Sequence, residues 1–227
     1  MSGGRWGLGA ALAGTVLLAI VGCTGADDAP TSSPSPVTST PAPAPASTPD
    51  PIDPLTTVTA LVLRAEAVEL TDDDGRVVLA LDYTGSSADA MTVLSTVFDG
   101  PPVDEPYRGT NHAPPGIYHA WEAVTLDERH YDEGTPDVAN FVLYFDAPEN
   151  RGIDLRTVQG YRAGDSWATL SSAPDVHANP SGCSGPYSEH VDVTTGYKRG
   201  VELRLTEDES TVRWLAAPVA IFLDGCP

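Results

Sequence analysis

The stretch from Thr24 to Pro54, TGADDAPTSSPSPVTSTPAPAPASTPDPIDP, sets the tightest limit on what this chain can fold into. It is almost wholly Pro, Ser, Thr, Ala and Asp, and it lacks the large apolar groups whose burial would offset the entropy of ordering a backbone. The alternating PAPAPA favours extended polyproline II. Fully extended, such a segment reaches about 95 Å, and as a loose coil it averages roughly 30 Å. It reads as a tether, so any packed core must be built from Leu55 to Pro227. That length suits a single globular domain.

What precedes the tether is of a different kind. Arg5 and the amino terminus supply a short positive segment, followed by the uncharged run WGLGAALAGTVLLAIV, Trp6 to Val21. A spanning helix needs roughly 20 apolar residues, and this run is shorter and rich in Gly and Ala. It fits the central region of a secretory signal, over residues 1–22. At its end Ile20-Val21-Gly22-Cys23 resembles a bacterial lipobox. A thiolate is the side chain suited to accept a diacylglyceryl group, and Gly22 leaves room for a peptidase to cut beside it. Two acyl chains matter, because one gives only marginal, reversible membrane binding. The competing reading is an ordinary signal peptide that happens to end near a cysteine. The tether beginning at Thr24 favours the anchor, so Cys23 is expected to be lipidated and residues 23–54 to form the tether.

Charge narrows the partners. The chain carries 32 Asp and Glu against 12 Lys and Arg, a formal net charge of −20, with Lys198 as its single lysine. Phosphate backbones are bound by clusters of Lys and Arg, so nucleic acid is not expected as a partner. Cys183 and Cys226 are the remaining cysteines, and an oxidising exterior suits a disulfide between them rather than two free thiols. Closing that loop is worth about 4 kcal/mol in the chain-entropy picture.

Within 55–227 the patterns favour strands. VTALVLRAEAVELTDDDGRVVLALDY holds two or three of them, with Val68 and Leu70, then Val77, Leu79, Leu81 and Tyr83, alternating with polar neighbours. SSADAMTVLSTVFDGPP predicts a helix capped by Ser87, with Ala90, Val93, Leu94, Val97 and Phe98 on one face and Gly100-Pro101-Pro102 as its stop. NFVLYFD is apolar on both faces and belongs at the centre of a sheet. GIDLRTV follows after a turn, and GDSWATLSSAP offers a short helix capped by Asp165. VELRLTEDESTVRWL reads as a hairpin with an acidic turn, followed by PVAIFLD. Short connections between strands favour antiparallel pairing. The expected fold is α+β: a mostly antiparallel sheet with one or two short helices packed on one face.

The lipobox, the Pro/Thr/Ala tether and the domain opening RAEAVELTDDDGRVVLALDY, with the GDS helix start and the late LAAPV segment, together resemble secreted lipoproteins of actinobacteria. The resemblance implies export and a general build, and it carries over no catalytic residue.

The chemistry-bearing residues are scattered. SGCSGPYSEHVD lacks the spacing of a nucleophile elbow, so Ser184, His190 and Asp192 read as loop residues rather than a triad. Lys198 has no phosphate-loop context. TDDDG, Thr71 to Gly75, lacks the alternate acids and distal Glu of a calcium loop, and Asp and Gly at a hairpin tip supply turn geometry without an ion. NHAPPGIYHAWEAVTLDERHYDE gathers His112, His119, Glu122, His130, Asp132 and Glu133, of which His112, His119, His130 and Asp132 are the candidate metal ligands. No pair has the spacing that sets two histidines on one helical face, so a solvated loop is the simpler reading. Even so, a ligand would first be sought in 107–133, where Tyr107, Tyr118 and Trp121 suggest ring surface on an ordered loop. No catalytic residue and no cofactor is expected. The sequence reads as an envelope lipoprotein, held to the membrane by its anchor, whose domain contacts a protein or wall component. The alternative is a small-molecule or metal-binding module centred on 107–133.

Overall fold

A computed structural model describes residues 53–110, 113–132, 139–179, 181–193 and 197–222. The signal-like run, Cys23 and the tether as far as Ile52 lie outside the described residues, as do His112, Glu133 and Cys226. Among the described residues, no helix is long and apolar enough to cross a membrane.

The first three strands are β1 (Ala60–Leu63), β2 (Ala67–Thr71) and β3 (Val77–Asp82), and helix α1 (Ser87–Val97) follows. Next come β4 (Val103–Tyr107), β5 (Gly116–Trp121), β6 (Val124–Arg129), β7 (Phe141–Phe145), β8 (Glu149–Asn150) and β9 (Ile153–Thr157). After the one-turn α2 (Trp167–Leu170), the chain closes with β10 (Tyr187–Asp192), β11 (Tyr197–Leu205) and β12 (Val212–Phe222). The fold is α+β and mostly antiparallel, as the patterns predict. The strands divide into two sheets, ordered β3-β2-β1-β9-β8 and β10-β11-β12-β7-β6-β5-β4. One pair, β1 with β9, is parallel.

Both sheets and α1 contribute to one apolar cluster. Leu61, Leu63, Val68, Leu70 and Leu155 come from the smaller sheet; Trp121, Val124, Leu126, Phe141, Leu143, Phe145, Leu203 and Leu215 come from the larger; Ala90, Leu94 and Phe98 come from the helix segment. The apolar run of NFVLYFD becomes β7, fourth of seven strands, as its two-faced hydrophobicity requires.

Local polar chemistry sets the connections. The Ser86 hydroxyl caps α1 by accepting from Asp89 N at 3.2 Å, one residue earlier than the sequence suggests. The helix ends with Gly100 N donating to Ser95 O and Asp99 N to Thr96 O, while Asp99 takes a left-handed φ of 49°. In the β2–β3 turn, Asp72 Oδ1 accepts from Asp74 N at 3.0 Å and Arg76 N at 2.8 Å. The TDDDG acids are therefore turn formers, which their grouping reflects. At the β11–β12 turn, Asp208 Oδ1 accepts from Thr206 Oγ1, Ser210 N and Ser210 Oγ, and these bonds hold its carboxyl below the usual range. Asp165 does not cap α2: its Oδ2 accepts from Arg162 N, and Ser166 stands at the cap position without a side-chain bond.

Candidate functional site

The segment expected to be a loop, 107–133, is instead built largely of strands. β4, β5 and β6 form a meander at one end of the larger sheet, with Val103 opposite Ala120 and Ala120 opposite Thr125. β4 is the edge, which is where a strand can carry Pro106, since proline has no N–H for a ladder. The tight β5–β6 turn puts Glu122 at φ 56°, a conformation that Glu rarely signals. Strand geometry then sends neighbouring side chains to opposite faces.

On the face turned to the core, the register row Asp104–His119–Leu126–Leu143 places His119 among buried groups. Its Nδ1 lies 2.7 Å from Asp104 Oδ1 and its Nε2 lies 3.1 Å from Glu128 Oε2. Ser87 Oγ, at the start of α1, donates to Glu128 Oε1 at 2.8 Å. Burial alone would raise the Glu128 carboxyl, but the bonds from His119 and Ser87 and the nearby His130 outweigh it and hold it below its ordinary value. His119 is thus a structural clasp between β4, β5 and β6. Because its two nitrogens face carboxylates on opposite sides of the ring, they do not converge with those acids on a shared metal position. His130 is about half exposed, 3.6 Å from Glu128 Oε1, and Asp132 is exposed. His112 lies outside the described residues. The scattered-loop expectation for these histidines fails at His119, whose strand register buries it.

The opposite face of the same strands is richer. One register row reads Val103–Ala120–Thr125–Tyr144–Ala216–Glu202, and another reads Glu105–Tyr118–Asp127–Val142. Asp127 is 2% exposed. It accepts from Tyr107 Oη at 2.7 Å and from Arg129 Nε at 2.8 Å. Tyr107 can fold across the sheet because Gly116 lies beneath it; a Cβ on Gly116 would collide with the Tyr107 ring and with Glu128 O. The Tyr107 and Tyr118 rings stack with centroids 4.5 Å apart. Burial, reinforced by the bond to Asp127, pushes the Tyr107 phenol up.

Further along this face, Tyr144 meets Trp214 edge to face at 5.3 Å, and Arg204 lies over the Trp214 ring at 5.2 Å. Arg204 Nε pairs with Glu202 at 3.1 Å. Burial pushes the Glu202 carboxyl up, opposed by the Gly185 N–H and Arg204. Burial also pushes the Tyr144 phenol up to about 12. Between these groups opens a concavity of about 410 Å³, lined by Val103, Glu105, Tyr118, Ala120, Thr125, Tyr144, Asp146 and Trp214. Its aromatic walls rest on polar groups that are already paired to one another, so the surface is held in shape before anything binds.

Of the residues expected to carry contacts, Tyr107 and Tyr118 belong to this face, whereas Trp121 is buried in the core and donates Nε1–H to Gly100 O at 3.0 Å. Sequence reading missed Tyr144, Trp214, Asp127 and Arg129. Tyr144 and Trp214 are hidden in runs that look like core, NFVLYFD and TVRWL. Only the pairing of β7 with β12 brings them together.

Ser184, His190 and Asp192 do not form a triad. Ser184 Oγ accepts from Asn179 Nδ2, while Lys198 Nζ lies 3.0 Å from His190 Nε2 and 3.3 Å from Asp192 Oδ1. Burial first, then Lys198 and His177, push the His190 pKa down. Cys183 is disulfide-bonded, and Cys226, its expected partner, lies outside the described residues. Compared with protein-family models, curated proteins and solved structures, the chain finds no match in any of the three.

Proposed function

We propose that this chain is an exported envelope lipoprotein, resembling those of actinobacteria, anchored through Cys23 and raised from the membrane on residues 24–54. Its folded part is a binding domain whose working surface is the outer face of the larger sheet. The observation that carries this reading is the open concavity walled by Tyr118, Tyr144 and Trp214. Aromatic side chains left partly exposed on a sheet, beside ion pairs whose acids are nearly buried, are the usual makings of a contact surface. A disulfide between Cys183 and Cys226 and the acidic surface suit an extracytoplasmic setting. The metal-binding alternative has less support, because both nitrogens of His119 are already engaged.

Two experiments test the reading. Cys23→Ser should move the protein from the membrane fraction to the soluble exported fraction; unchanged partitioning would remove the anchor. For the surface, soluble envelope fragments are titrated into the full-length protein and into a Tyr144→Ala/Trp214→Ala variant of matched fold by circular dichroism. Binding that is lost in the variant supports the assignment. Equal binding to both would move the contact surface elsewhere.

A further inference from the structure

We infer that the outer-face concavity takes an organic cation, an ammonium group carried on a short apolar stem. This rests on the assignment of that face as the working surface and adds the chemistry of what it receives. Three aromatic residues, Tyr118, Tyr144 and Trp214, wall the concavity, and the two charged residues among its lining, Glu105 and Asp146, are both acids. Aromatic faces attract cations through their quadrupoles, and carboxylates at the rim add a charge that an ammonium group satisfies without losing its own.

The arginines near this face do not cancel that preference. Arg129 is paired with Asp127 and Arg204 with Glu202, so each is matched by a nearly buried acid. Arg213 lies near enough to Asp146 to act on its carboxyl, which leaves Glu105 as the acid of the lining for which no cation is named. The protein also uses the same chemistry itself, holding the Arg204 guanidinium against Trp214. A neutral sugar would find the rings and Thr125, but it has no use for the charge of two carboxylates. A net charge of −20 biases encounter toward cations in the same sense. A cavity of about 410 Å³ is large enough to admit the head group together with part of its stem.

The test is calorimetric titration of the full-length protein with matched probes: tetramethylammonium against tert-butanol, cadaverine against pentanol, and chitotriose as a neutral sugar. At least one cation should bind about tenfold more tightly than its alcohol, with the advantage shrinking as salt is added. Glu105→Gln/Asp146→Asn should remove most of that advantage; both positions are exposed, so the variant keeps its fold. A preference for tetramethylammonium points to a trimethylammonium head group, and a preference for cadaverine points to a diamine or a diamino side chain. Alcohols binding as well as cations, or chitotriose binding alone, would overturn the inference. If no probe binds while envelope fragments still bind through Tyr144 and Trp214, the cation inference falls and the surface assignment stands. If the fragments also fail to bind, both fall.

Discussion

Replacing Asp127 with Asn tests how the outer face is held. Asp127 is 2% exposed and carries two bonds, from Tyr107 Oη at 2.7 Å and Arg129 Nε at 2.8 Å. The Arg129 side chain is 26% exposed. Removing one partner of a fully buried ion pair costs about 3–5 kcal/mol, mostly because the other charge is left alone in a poorly solvated place. Here water reaches a quarter of the arginine, and Asn keeps an oxygen for Tyr107, so Asp127→Asn should lose about 2–3 kcal/mol. For a domain of this size that lowers Tm by about 4–12 °C. Urea unfolding followed by tryptophan fluorescence measures it, with an unchanged m-value confirming that stability alone has moved. Adding Arg129→Met removes the orphaned charge, so the double variant should recover most of the loss. A single variant within about 0.5 kcal/mol of the parent, the usual range of an ordinary surface change, would refute the reasoning. So would a double variant as unstable as the two single losses added together.

Three further outcomes follow from named geometry. Asp99 holds a left-handed φ of 49° at the end of α1, so Asp99→Gly should raise stability by about 0.5–1 kcal/mol in the same urea assay. Gly116→Ala forces a Cβ against Glu128 O and the Tyr107 ring; it should cost about 1–3 kcal/mol, and near-ultraviolet circular dichroism should report the displaced tyrosine. Tyr144 and Tyr161 have pKa values pushed up to about 12, the first by burial and the second by burial and its bond to Asp175. The fold therefore favours the neutral phenols: their contribution is complete below pH 10 and is lost as pH rises through about 12. An alkaline titration of Tm should fall across that window, and Tyr144→Phe should flatten the fall.

What was legible in the sequence was what local chemistry decides. α1 announces itself through the spacing of Ala90, Leu94 and Phe98, β7 through an unbroken apolar run, and the β11–β12 turn through acids that cap their own backbone. β4, β5 and β6 were hidden for a physical reason. β4 is VDEPY, poor in strand formers and acceptable only because it is an edge, and the core-facing face of β5 and β6 carries His119 and Glu128 where alternation calls for apolar residues. A buried polar clasp erases the period-two signal that would have revealed its strands. The division into two sheets and the meeting of Tyr144 with Trp214 depend on pairings distant in the chain, and such register leaves no local trace.

The most direct measurement of the central claim is a map of amide chemical shifts in the full-length protein as soluble envelope fragments are added. The shifts should concentrate on the outward-facing positions of β4, β5, β6, β7 and β12, around Tyr118, Tyr144, Asp146 and Trp214, and vanish with Tyr144→Ala/Trp214→Ala. Shifts clustered on the smaller sheet, or around His177 and His190, would contradict it.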